Sequence, residues 1–128
     1  MTKRILAIDD EEAVRDAFVL ALSEAGYEVE TASSGAEGVE KATRNPPALI
    51  FLDLRMPGMD GIATLRELYR CCPKVPVYIV TAFHPDYLDQ LAQAAREGLR
   101  FGIASKPLTA DQIRSIASAL LAGPKIPG

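Results

Sequence analysis

Five side chains that could do chemistry together stand far apart in the chain: the pair Asp9-Asp10, then Asp53, Thr81 and Lys106. Each follows or closes an apolar run, at 5–8, 49–52, 77–80 and the weaker 101–105. Three carboxylates held within a few ångströms repel, and some would take up protons unless a cation lay between them. Hard oxygen donors without His or Cys suit Mg²⁺ or Mn²⁺. Mg²⁺ takes one or two carboxylates, keeps several waters and completes its shell with phosphate oxygen. A divalent ion together with Lys106 therefore makes a pocket for a phosphoryl group. Asp53 is then a candidate nucleophile, because carboxylates form aspartyl-phosphate intermediates. Cation and lysine would offset charge on the transferring oxygens, and Thr81 could hydrogen-bond one of them.

This chemistry needs a frame that brings five distant residues together. The runs at 5–8, 49–52 and 77–80 are near-continuous in Ile, Leu, Val and Phe, as in parallel strands buried on both faces. Residues 27–32 and 101–105 read as two weaker strands. Helical spacing lies between them: Val14, Phe18, Ala21 and Ala25; Ile62, Leu65, Leu68 and Cys72; Leu88, Leu91, Ala95 and Leu99; Ile113, Ile116 and Leu120. Ser34 with Glu37, and Thr109 with Gln112, predict capping boxes. Pro85 suits a first helical turn. Gly26, Asn45-Pro46-Pro47 and Cys72-Pro73 mark helix ends.

The result is five β–α repeats. Strict alternation implies an α/β fold, a parallel sheet with helices on both faces and right-handed crossovers. Open sheets of this kind bind ligands beyond the carboxyl ends of the strands. All five chemical residues fall at such ends. Singly, each reads as a solvated loop residue or a cap, Asp10 as the cap of the first helix. Chance rarely sets acids, a hydroxyl and a lysine at the correct ends of four strands.

Composition narrows the field. The 128 residues make one domain. Lys plus Arg number 14 and Asp plus Glu 17, a net charge of −3, which argues against sequence-independent nucleic-acid binding. No apolar run approaches the ~18 residues of a membrane span. The first residues are too short and acidic a stretch for a secretory signal. Cys71 and Cys72 are adjacent, where a bridge is strained, and read as reduced thiols of a cytoplasmic protein. The single histidine, His84, rules out a histidine metal cluster and reads as a solvated loop residue. Residues 122–128, rich in Pro and Gly, read as a tail or the start of a linker.

The chain resembles the receiver domain of two-component response regulators, of the chemotaxis-regulator type. The resemblance runs from Lys3 to about Ala122. It is carried by Ile5-Leu6-Ala7-Ile8-Asp9-Asp10-Glu11, by Leu52-Asp53-Leu54-Arg55-Met56-Pro57-Gly58-Met59-Asp60-Gly61, by Val80-Thr81-Ala82 and by Lys106-Pro107. It implies a (βα)5 flavodoxin-like three-layer fold with strand order 2-1-3-4-5, residues 1–122 being the receiver domain and 123–128 the tail or linker. It implies that Asp53 accepts a phosphoryl group from a sensor histidine kinase, a phosphotransfer protein or a small phosphodonor. Asp10 would bind Mg²⁺ directly and Asp9 through water, with the backbone carbonyl of Arg55 as a further ligand. Thr81 matches the switch hydroxyl and Lys106 the lysine that pairs with the phosphoryl group, before a cis bond to Pro107. Small Ala82 leaves the site open to donors.

Departures are equally specific. The family sets Tyr or Phe three residues before the lysine, where this chain has Ile103. The nearest aromatic is Phe101, on the same strand face by alternation. Gly98 lies eight residues before Lys106 instead of seven. The expectation is an altered switch, with Ile103 packed in the aromatic's slot. The output surface would be the fourth helix, fifth strand and fifth helix, carrying Asp86, Asp89, Arg96, Arg100, Asp111 and Arg114. It would bind a downstream target or output domain, or pair two copies. No DNA-reading element is present, so a transcriptional role needs another domain or partner.

A degenerate receiver serving only as a binding module is the alternative; it predicts gaps in the acidic pocket. A turnover phosphatase would place a second acid two residues after the nucleophile, where Arg55 stands. A flavin protein would need a Ser/Thr/Gly phosphate loop where Asp9-Asp10-Glu11-Glu12 stands. Arg55 and Phe83, two residues after Asp53 and Thr81, flank the path of attacking water and should slow autodephosphorylation. Phe83→Ala is expected to lose a bound phosphoryl group faster than wild type, measured as the decay of phosphoprotein by intact mass.

Overall fold

The computed structural model describes residues 3–55, 61–82 and 85–121, with the backbone alone at Pro85 and Asp86. Residues 56–60 of the second motif, Phe83, His84 and the expected tail lie outside them, as do the side chains of Pro85 and Asp86. The elements run β1 (Arg4–Ile8), α1 (Glu12–Glu24), β2 (Glu28–Ala32), α2 (Gly35–Arg44), β3 (Leu49–Leu52), α3 (Gly61–Cys71), β4 (Val77–Thr81), α4 (Pro85–Arg96), β5 (Gly102–Ser105) and α5 (Ala110–Leu121). The strands form one parallel sheet in the order β2-β1-β3-β4-β5. The expected (βα)5 flavodoxin-like architecture is therefore the observed one. Among the described residues no helix is long and apolar enough to cross a membrane.

Two apolar layers explain the continuous strand runs. On one face Leu6, Ile8, Ile50, Leu52 and Ile79 meet Ala42, Ile62, Leu65, Leu68, Leu91 and Ala94 of α2, α3 and α4. On the other, Ile5, Ala7, Leu49, Phe51 and Val80 meet Phe18, Leu22, Ile113 and Ala117 of α1 and α5. β1 and β3 are covered on both faces, so neither can afford an alternating polar residue. Each large side chain so buried contributes about 1.5–3 kcal/mol.

Helix faces differ from the sequence reading in detail. In α4 the inward residues are Tyr87, Leu91 and Ala94, while Leu88 is 51% exposed and Ala95 lies outside. The face is turned by one position from the expected Leu88–Leu91–Ala95 stripe. In α5, Ile113, Ala117 and Leu121 are buried and Leu120 is 39% exposed. In α1, Leu22 takes the inward place expected of Ala25, which has become the residue ending the helix.

Most punctuation falls as expected. Thr109 and Gln112 form a reciprocal capping box: the Gln112 amide N–H donates to Thr109 Oγ1 and the Thr109 N–H to Gln112 Oε1, at 3.1 and 2.8 Å. At α2 the Glu37 N–H donates to Ser34 Oγ, but the Glu37 carboxylate reaches Ser33 instead, accepting from its N–H and hydroxyl. Those Ser33 contacts, the backbone one first, hold the Glu37 carboxyl below its ordinary value. Asp10 is not a cap; Glu11 holds that place, without a side-chain bond. Gly26 and Gly98, after α1 and α4, adopt φ of 92° and 95°, open to glycine at no steric cost.

Gly61 begins α3 against the loop after β3. Its N–H donates to the Leu54 carbonyl at 3.0 Å. A Cβ built on it would lie 2.1 Å from Leu54 Cα, a backbone atom that cannot swing aside. Gly61→Ala is expected to destabilise the fold by about 1–3 kcal/mol, the usual range for overpacking, measured by urea unfolding.

Candidate functional site

The sheet ladders continue past the strand ends and place the chemical residues. The Asp9 N–H donates to the Ala32 carbonyl and the Asp53 N–H to the Ile8 carbonyl, both at 3.0 Å. The Lys106 N–H donates to the Thr81 carbonyl at 2.9 Å, and Thr81 pairs with Ser105 in register. Three parallel junctions thus set Asp9, Asp53, Thr81 and Lys106 side by side along one rim. The Lys106–Pro107 peptide is cis, as the resemblance implied.

The side chains converge there. Carboxylate oxygens of Asp9, Asp10 and Asp53 all lie within 4.8 Å of one another. Asp9 is 3% exposed and Asp53 4%, whereas Asp10 faces solvent. Lys106 Nζ lies 2.8 Å from Asp9 Oδ2, 3.4 Å from Asp53 Oδ2 and 3.6 Å from Glu11 Oε1. Asp9 Oδ1 accepts the Glu11 N–H at 2.9 Å, and Asp53 Oδ1 the Arg55 N–H at 3.2 Å. Thr81 Oγ1 is buried and makes no hydrogen bond of ordinary geometry among the described residues, although it lies close enough to Asp53 to favour the ionised carboxylate slightly.

One ammonium does not neutralise this group. Burial pushes the Asp53 carboxyl above its ordinary value and the Asp9 charge adds to it; Lys106, the Arg55 N–H and Thr81 oppose without overcoming it. Burial alone would lower Lys106, but its hydrogen bond to Asp9 and the charges of Asp53, Asp9 and Glu11 hold it above the ordinary lysine value. The donor set is hard oxygen with excess negative charge, so the residues fit Mg²⁺ or Mn²⁺ through the carboxylates of Asp9, Asp10 and Asp53. A buried, desolvated carboxylate beside a lysine and an unpartnered hydroxyl can take a phosphoryl group.

Other expected residues fall elsewhere. Arg55 follows Asp53 with an exposed side chain. Ile103 is 49% exposed and does not fill the slot beside Thr81. A cavity of about 30 Å³ remains there, lined by Thr81, Tyr87, Leu88, Leu91 and Ile103 among others. β5 is an edge strand, and Ile103 and Leu88 of α4 both stand exposed beside that cavity. Phe101 precedes β5 at the end away from the site, about 13 Å of strand from Ser105 at ~3.3 Å per residue. It packs with the core under α3 and α4 and is not brought to Thr81.

Glu11 and Arg15 were missed by sequence reasoning. Arg15 Nη1 donates to the Asp9 carbonyl at 2.8 Å. The signal was its place in the first turn of α1, where the helix dipole disfavours a cation and a non-local partner is needed.

The model of the response regulator receiver domain matches residues 5–118. The chain belongs to the response regulator receiver domain family. Over 108 residues this receiver domain is 36% identical to the DNA-binding transcriptional regulator NtrC of Escherichia coli (strain K12), covering 84% of the chain and 22% of NtrC. Over 124 residues it is 32% identical to the alkaline phosphatase synthesis transcriptional regulatory protein PhoP of Bacillus subtilis (strain 168), covering 94% and 49%. The chain thus spans less than half the length of either. The receiver domain of NtrX from Brucella abortus superposes with a TM-score of 0.79 at 30% identity, covering 94% of this chain and 99% of that one. Vibrio cholerae chemotaxis protein CheY4 does so at 0.83 and 25%, covering 94% and 100%. The degenerate alternative predicted a pocket with gaps; the acids, hydroxyl and lysine are all present and together, and that reading is not supported.

The upward shift of Asp53 has a defined consequence. A carboxyl protonated more readily folded than unfolded costs stability as pH rises from the ordinary carboxylate range through its raised value. The raised Lys106 acts at the other extreme: its contribution is present at neutral pH and lost only as pH climbs through the lysine range. Without divalent ions, Asp53→Asn is expected to raise Tm at pH 7, the gain shrinking towards zero near pH 3, as followed by circular dichroism melts across that range.

Proposed function

We propose that this receiver domain takes a phosphoryl group onto Asp53 and uses the aspartyl phosphate to switch a binding surface. The observation that carries the reading is the buried Asp53 carboxylate, held by the Arg55 N–H, faced by Lys106 and adjoining the unpartnered Thr81 hydroxyl. An Asp53 oxygen attacks the phosphorus of a phosphohistidine on a histidine kinase or phosphotransfer protein. The P–N bond breaks, its electron pair leaves with the imidazole, and solvent supplies that ring's proton. A small phosphodonor serves in the same way.

Asp9, Asp10 and Asp53, with the backbone carbonyl of Arg55, would hold Mg²⁺, or Mn²⁺ in its place. The ion supplies positive charge that offsets both the carboxylates and the incoming phosphoryl oxygens. Lys106 is freed by the transfer to pair with a phosphoryl oxygen, and the Thr81 hydroxyl finds in another the acceptor it lacks. Loss of the group is hydrolysis: water attacks phosphorus and the P–O bond to Asp53 breaks. Arg55 and Phe83, two residues after Asp53 and Thr81 in the sequence, tune that step.

Movement of Thr81 is transmitted to α4, β5 and α5. Ile103 and Leu88 are already exposed there and offer apolar anchors to a downstream protein, an output domain or a second copy. Ile103 does this as an aliphatic residue on the surface, with Thr81 moving beside the small cavity it lines. A cytoplasmic place accords with the free thiols of Cys71 and Cys72; burial and the Cys71 thiol push Cys72 up to about 11.

Incubation with acetyl phosphate and Mg²⁺ is expected to add one phosphoryl group to wild type and none to Asp53→Asn, read by intact mass. Failure of wild type to gain mass, with Tm unmoved by Mg²⁺, would return the domain to a binding-module role.

A further inference from the structure

A second concavity lies at the opposite end of the sheet from Asp53. Its volume is about 620 Å³, and it runs between the end of α3, the starts of β4 and β5, and the last turn of α5. Tyr69, Tyr78, Phe101 and Leu120 give it an aromatic and aliphatic lining, and Lys74 and Arg100 add two cations. Tyr78 lies against β5 only because residue 102 is glycine: a Cβ there would stand 2.4 Å from the Tyr78 ring. The Tyr69 hydroxyl is already engaged, donating to the Gly98 carbonyl at 3.3 Å. Neither Lys74 nor Arg100 has an ion-pair or hydrogen-bond partner among the described residues. Both are exposed.

We propose that this groove binds a small aromatic carboxylate. The volume falls in the range of small-ligand sites, ~300–1,000 Å³, which are mostly apolar with a few placed polar groups. A stable protein partner would instead bury on the order of 1,000 Å² or more, which one concavity of this size does not offer. A flat ring meets an aromatic lining, Phe101 from the α3–α4 side and Tyr78 from the α1–α5 side, and the planar Arg100 fork matches a carboxylate in two parallel hydrogen bonds. Lys74 adds a point charge of the same sign. Two cations with no partner among the described residues, beside an apolar floor, select an anion with an apolar body over a neutral or cationic one.

The test is a titration of the isotope-labelled chain with 1-naphthoate, followed by amide shifts. The expected result is saturable movement of the Lys74, Tyr78, Phe101 and Gly102 amides at about 1 mM or tighter. Lys74→Gln with Arg100→Gln should weaken it about tenfold, and the neutral 1-naphthalenemethanol should bind wild type about tenfold more weakly. Both substituted residues are exposed, and an unchanged spectrum of the variant confirms its fold. Shifts that do not saturate, that fall elsewhere, or that are matched by the neutral analogue overturn the proposal. So does an acidic, phenylalanine-bearing tetrapeptide that moves the same amides at lower concentration than naphthoate, which would make the groove a peptide site.

Discussion

Two nearly buried carboxylates and one lysine at the carboxyl rim of the sheet set the terms for this molecule. Asp9 and Asp53 cannot be solvated where they stand, and Lys106 must serve both. Burying a carboxylate costs stability, and a second one beside it adds to that cost. Here the cost shows as the upward displacement of Asp53. A fold optimised for stability alone would have no such cluster. Such a site is one that is completed by something positive.

The rest of the architecture holds that unfavourable arrangement in place. β1 and β3 are buried on both faces and adjacent, so the residues after them cannot separate. Gly61 lets α3 close onto Leu54 immediately behind Asp53, and Arg15 ties the first turn of α1 to the Asp9 carbonyl. β5 is different. It is an edge strand with alternate exposed residues, and it carries Lys106 at its end. The site therefore draws Asp9 and Asp53 from the sheet's centre and Lys106 from its edge.

Continuity of apolar residues made the central strands legible, because a strand covered on both faces has no polar option. The Asp9-Asp10, Asp53, Thr81 and Lys106 set was legible for the same reason: strand ends are marked by where continuity stops. Helix faces were less so. α4 carries apolar residues at both Tyr87–Leu91–Ala94 and Leu88–Leu91–Ala95, and periodicity does not choose between them. Packing against the sheet chose the first, leaving Leu88 outside.

Ile103 and Phe101 show the same boundary from the site's side. Residue type and strand alternation identified them as the departure from the family's aromatic, yet alternation says nothing of depth along a strand or of cover above it. Phe101 falls just before β5, at the end away from the site, and Ile103 stands half in solvent beside a small void. The sequence by itself determined the fold class, the strand order through resemblance, and which acids, hydroxyl and lysine share a rim. Only the tertiary structure decided that Asp53 is desolvated, that Glu11 and Arg15 join the site, and that an aromatic groove lined by Lys74 and Arg100 opens at the other end. The physical reason is that local pattern records which side of an element is apolar. Solvent exposure, charge pairing and cavities arise from how elements meet.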